Sequence, residues 1–215
     1  FVKLDTSGRN IARSRYQVYH FLTGDPGMCD YTDKVIKSLE PEKLKVMKDW
    51  NKRFTAPYTE DEFKNLVGLS KLIDVLWREQ IKARRDLEAA TVTVREIYGH
   101  KDTRFDRGQS IREKDKLLHN IYKSEHAKNA GAYARLKFAM DYWCALWFWP
   151  ISEANLLPER SEFISDMYLI LQGTMPTNSQ EKQTSLFDIN IEDDVMVQNV
   201  NLDQLCEMFP RLGLV

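Results

Sequence analysis

Glycine and proline are scarce, with nine and seven among 215 residues. A β-sandwich or barrel turns tightly at every strand end and uses both residues freely, so these counts speak against either fold. Cysteine is scarcer. Cys29, Cys144 and Cys206 are odd in number, far apart and never spaced CxxC, which excludes a disulfide framework and a zinc ribbon and leaves three free thiols. The longest apolar run, 139–151, is too short to span a bilayer and contains Asp141. No charged-then-apolar signal segment opens the chain. Together these absences predict a cytoplasmic protein with no membrane partner. The start Phe1-Val2-Lys3 lacks a Met, as expected of a piece of a larger protein.

Catalytic signatures are also missing. The four histidines include no HExxH, and the nearest pair, His119 and His126, stands two helical turns apart. Gly24-Asp25-Pro26-Gly27 has neither the preceding strand nor the Lys-Ser/Thr ending of a phosphate-binding loop and reads as a turn. No GxSxG occurs. Glu192-Asp193-Asp194 could ligate a divalent cation or be a solvated acidic loop.

What is present is helical pattern. With 43% hydrophobic and 29% charged residues, a packed core is within reach. Asp30 or Thr32 can cap a short helix carrying Val35, Ile36 and Leu39. Pro41 suits the first turn of the next, with Leu44, Met47, Trp50 and Phe54 at helical spacing. Thr59-Glu60-Asp61-Glu62 fits a capping box. Apolar residues then recur from Phe63 to Ile97, and Gly99 is a stop, giving one helix of about forty residues, or roughly 60 Å. Ser110 to Glu113 is a second capping box. Further helices are expected with Leu136, Met140, Trp143 and Trp147 up to Pro150, from Pro158 or Ser161 to Gly173, and over 202–209. The reading is an all-α bundle around one long central helix. Residues 1–28 form a lead-in, 29–173 the bundle, and 174–215 an acidic, mobile, mostly irregular segment with room for one strand, closed by a short helix.

Charge is split along the chain. Residues 1–137 hold 28 Lys and Arg against 20 Asp and Glu, a net of +8; residues 138–215 hold 3 against 12, a net of −9. Within the first part, Lys82, Arg84 and Arg85 fall late on the long helix, and Arg104, Arg107, Arg112, Lys114 and Lys116 follow, with Tyr98 and Phe105 among them. Such a stretch suits phosphate contacts, while its interleaved acids suit a solvated face. Tyr142, Trp143, Trp147, Phe148 and Trp149 are too many rings to leave in solvent. They either form core or dock on another domain.

The segment KFAMDYWCALWFWPISEANLL at 137–157, followed by Pro158-Glu159-Arg160, resembles part of the large, multi-domain adenine-specific DNA methyltransferases of bacterial restriction–modification and phage-defence systems. These carry a DxWCALWFWP-like motif and an LPxR-like step in a helical insert. Phe209 to Val215 is similar to the approach to their central block. The likeness covers roughly residues 137–172 and 205–215. Their Asn/Asp-Pro-Pro-aromatic catalytic motif and Gly-rich S-adenosylmethionine loop are absent, so no catalytic, cofactor or metal residue carries over. The resemblance implies a non-catalytic accessory region. Its partners would be the catalytic domain of the same polypeptide, docked through Tyr142, Trp143, Trp147 and Trp149, and DNA; S-adenosylmethionine would be bound elsewhere in the parent enzyme. The other reading open to the sequence is a helical protein–protein interaction module with no nucleic-acid role.

Overall fold

The computed structural model describes residues 14, 17–91, 110–124, 128–176 and 197–215. The chain is mostly helical. Its helices are α1 (Lys34–Leu39), α2 (Pro41–Phe54), α3 (Glu60–Thr91), α4 (Ile111–Tyr122), α5 (Ala132–Ala145), α6 (Arg160–Gln172) and α7 (Leu202–Met208). Short 3-10 turns cover His20–Leu22, Ile151–Leu156 and Leu212–Leu214. Strands β1 (Thr174–Pro176) and β2 (Val197–Asn199) pair antiparallel, with Thr174 opposite Asn199. They sit at the two ends of the segment read as irregular; residues 177–196, including Glu192 to Asp194, lie outside the described residues.

Helix starts follow their side-chain signals. At α3 the Thr59 hydroxyl accepts from the Glu62 amide at 3.2 Å, and the Glu62 carboxylate accepts from the Thr59 amide at 2.8 Å. Ser110 and Glu113 form the same reciprocal box at α4. Pro41 stands in the first turn of α2. Two caps differ from expectation. Asp33, not Asp30 or Thr32, caps α1, because its carboxylate reaches the amides of Val35 and Ile36. Glu159 closes a box with Glu162 at α6, in place of Ser161. Helix α5 ends at Ala145, before Pro150, and Gly173 ends α6 with φ at +67°.

The 32 residues of α3 span about 48 Å. Its first half enters the core through Leu66, Leu69 and Ile73, spaced three and four apart on one face. Fully burying each such side chain contributes roughly 1.5–3 kcal/mol. Helices α5 and α6 pack on α3 and on each other, bringing Leu136, Ala139 and Tyr142 against Phe163, Met167 and Ile170. Helix α2 adds Met47, Trp50 and Phe54 and lies against Ile151–Leu156. The compositional boundaries after 28 and 173 are not boundaries of this core. Tyr19, Phe21, Leu22 and Met28 belong to it, as do Leu202, Leu205 and Leu212. Tyr19 is held on α3 by its hydroxyl, which donates to Asp74 at 2.6 Å. Among the described residues no helix is long and apolar enough to cross a membrane.

Candidate functional site

The basic stretch divides. Arg104 and Arg107 lie outside the described residues, with Tyr98 and Phe105. Lys82, Arg84 and Arg85 are exposed on the second half of α3, where only Ile81 and Leu87 are buried and neither joins the main core. Arg112 and Lys116 are exposed and Lys114 half-buried at the start of α4, which packs on α3. The fold therefore carries both described parts of the stretch on one helix pair. Their charge is partly answered within the chain, since Arg84 pairs with Glu88 at 2.9 Å.

The aromatic run is mostly core. Tyr142 and Trp149 are wholly buried, so neither has ring surface left for another domain, and the docking role assigned to them is corrected to core packing. Alternation along α5 turns Tyr142 inward toward Phe163, while the turn after Ala145 folds Trp149 back. Its indole N–H donates to Glu153 O at 2.8 Å. Trp143 and Trp147 are half-buried and meet edge to face, with centroids 5.6 Å apart. The Trp143 N–H donates to Thr23 O at 2.8 Å, tying α5 to the N-terminal turn. Phe148, at 81% exposure, is the ring of this run that faces solvent.

Two arginines beside the run do structural work that apolar periodicity does not reveal. Arg160 donates to the carbonyls of Arg53 and Ala56 at 2.7 and 2.8 Å, and to Glu62 at 3.1 Å, with Tyr58 beneath its guanidinium. It thus closes the C-terminus of α2, where carbonyls lack helical partners, and joins it to the start of α3. Arg211 holds Asp166 with both arms, Nε at 2.7 Å and a terminal nitrogen at 2.9 Å, and reaches Glu162 at 3.1 Å. The Tyr142 hydroxyl completes the cluster at 2.7 Å from Asp166. Burial pushes the Asp166 carboxyl above its usual range, and the bonds from Arg211 and Tyr142 pull against that. Every Asp166 oxygen is engaged within the chain, so this buried network is a fastening rather than a reactive site.

The Gly24–Gly27 turn packs against aromatic rings. A Cβ on Gly24 would meet the Phe54 ring at 2.8 Å, and one on Gly27 the Trp147 ring at 2.7 Å. The glycines leave room for these rings. Among the described residues no group of three His, Cys, Asp or Glu could hold a metal ion.

Lysines that the linear reading passed over line a concavity. A cleft of about 450 Å³ opens between residues 26–31 and helices α1 and α2, lined by Lys37, Lys45, Lys48 and Lys52. Their signal was the spacing of Lys45, Lys48 and Lys52 on one face of α2. Comparison with protein-family models gives no match, and neither curated proteins nor solved structures give a significant one.

Proposed function

We propose that the chain is a non-catalytic helical accessory domain of an adenine-specific DNA methyltransferase of a restriction–modification or phage-defence system. It packs against the catalytic domain of the same polypeptide and contacts DNA through its basic stretch. The observation that carries this reading is the segment from Lys137 to Arg160. Tyr142 and Trp149 fill the core, Trp143 anchors the N-terminal turn, and Arg160 closes α2. Each has a packing or bonding task in this fold. Phe148 offers a ring for a neighbouring domain, and the exposed Lys82, Arg85 and Arg112 offer cations for phosphate.

Replacing Lys82, Arg85 and Arg112 by Ala in the parent enzyme should weaken DNA binding and lower its salt slope by about 3, near 0.9 per lost phosphate contact. An unchanged slope would remove the DNA contact. Methyl transfer to DNA by the 215-residue chain alone would overturn the accessory role. A second reading, an interaction module without DNA, draws on Phe148 together with Val35 and Leu39, which are 63% and 72% exposed on α1. It expects no response to DNA and a change in Trp fluorescence when a protein partner is added.

A further inference from the structure

The lysine-lined cleft is built differently from the rest of the surface. Positions 45, 48 and 52 are three and four apart, so α2 presents all three amines to one side, and Lys37 of α1 joins them. Lys52 stands 3.8 Å from Asp49, but Lys37, Lys45 and Lys48 have no ion-pair partner among the described residues. Asp30 is the one carboxylate in the lining. Amines gathered this way repel one another, and an anion between them relieves that repulsion.

The other wall is apolar and fixed. It is formed by Tyr31 and by Leu44 of α2, with the buried Met28 behind them. The Asn51 amide donates to Met28 O at 2.8 Å and also reaches the carbonyls of Asp25 and Pro26. The Cys29 thiol donates to Leu146 O at 3.1 Å, and the Tyr31 hydroxyl to Trp149 O. Cys29 has φ at +55°, the one non-glycine residue with positive φ among those described. Such a conformation persists where its surroundings impose it, commonly in the wall of a binding site. The cleft therefore joins an apolar wall tied down by hydrogen bonds to a cationic one. Its volume falls within the range of small-molecule sites, roughly 300–1,000 Å³.

We infer that this cleft binds a nucleoside phosphate, with the phosphates on Lys45 and Lys48 and the ring against Tyr31 and Leu44. The ligand is either a free nucleotide or one nucleotide of a single strand, and both present the same chemistry. The inference needs only the cleft and its lysines and does not rest on the methyltransferase reading.

The test uses the 215-residue chain with two probes: ATP by calorimetry, and a fluorescein-labelled eight-residue oligothymidylate by anisotropy. Lys45→Glu/Lys48→Glu should weaken binding of the responsive probe at least tenfold. For the oligonucleotide it should also lower the salt slope by about 1.4, near 0.7 per single-strand contact. Lys45 and Lys48 are exposed, so the fold should persist; Lys45→Gln/Lys48→Gln, expected to lose affinity by a smaller factor, checks that the effect follows charge. Binding of ATP alone assigns a free nucleotide, and binding of the oligonucleotide assigns a strand. Lys82→Glu/Arg85→Glu is the control: loss of oligonucleotide binding there, with none from the Lys45/Lys48 pair, would support the basic-stretch contact and overturn the cleft. Millimolar or absent binding of both probes would overturn it as well.

Discussion

Gly173 leaves the space that the Arg135 guanidinium fills. A Cβ at position 173 would fall onto that guanidinium, and Gly173 adopts φ +67°, where side chains are strained. Arg135 is 8% exposed and has no carboxylate in the bonds it makes; it donates to the carbonyls of Ala130, Ile170 and Val200 at 2.9, 2.9 and 3.1 Å. One side chain thus joins the start of α5, the last turn of α6 and the residue after β2. The Ile170 carbonyl lies at the negative end of the α6 dipole, a favourable place for a cation.

Gly173→Ala should therefore cost more than left-handed strain alone. That strain is about 1–2 kcal/mol, and displacing a charged donor from buried carbonyls adds roughly 1.5–3 kcal/mol. Urea unfolding followed by circular dichroism should give a total loss of about 3 kcal/mol. In an Arg135→Met background the same change should cost only the strain. Equal costs in both backgrounds would show that the two residues are not coupled.

Arg211→Met should produce a deficit that depends on pH in a defined direction. Burial already holds the Asp166 carboxyl above its usual range, with Glu162 adding to the rise and Arg211 and Tyr142 opposing it. Without Arg211 the folded pKa climbs further from the unfolded value of about 3.9. A carboxyl that binds protons more tightly when folded loses stability as pH rises from its unfolded toward its folded pKa. The deficit should thus be smallest near pH 4 and grow to about 3–5 kcal/mol at neutral pH, the usual cost of an uncompensated buried charge. Urea midpoints from pH 4 to 8 for both proteins measure it, and a deficit that does not change with pH would refute the assignment.

Local signals carried much of this fold in the linear sequence. Thr59/Glu62 and Ser110/Glu113 start their helices as read because each box is closed within four residues. Phe163, Ile164, Met167 and Leu171 are buried, in line with the spacing expected for α6. Distant polar contacts were not legible. Arg135, Arg160 and Arg211 act across 35 to 107 positions, and composition cannot tell such an arginine from a solvated one. Periodicity also misled at α1, where Val35 and Leu39 match a helical stripe yet no residue of that helix is buried. Lys82 and Arg85 stand out by charge density along the chain and are exposed. The cleft lysines escaped because Glu40, Glu42 and Asp49 dilute them in sequence, although none of the three acids lines the cleft.

Thiol reactivity should rank the three cysteines by environment. The thiolate is the nucleophile, so a raised pKa slows alkylation. Burial pushes the Cys29 thiol up to about 12, and burial with Asp203 nearby raises that of Cys206, which is half-buried. Cys144 is exposed on α5. At pH 8, iodoacetamide should modify Cys144 first, Cys206 more slowly, and Cys29 only as the chain opens. Peptide mapping by mass spectrometry gives each rate, and above the urea midpoint the three should converge. Rapid modification of Cys29 in the native protein would mean that residues 26–31 part readily from α2, and the wall of the lysine cleft would then not be rigid.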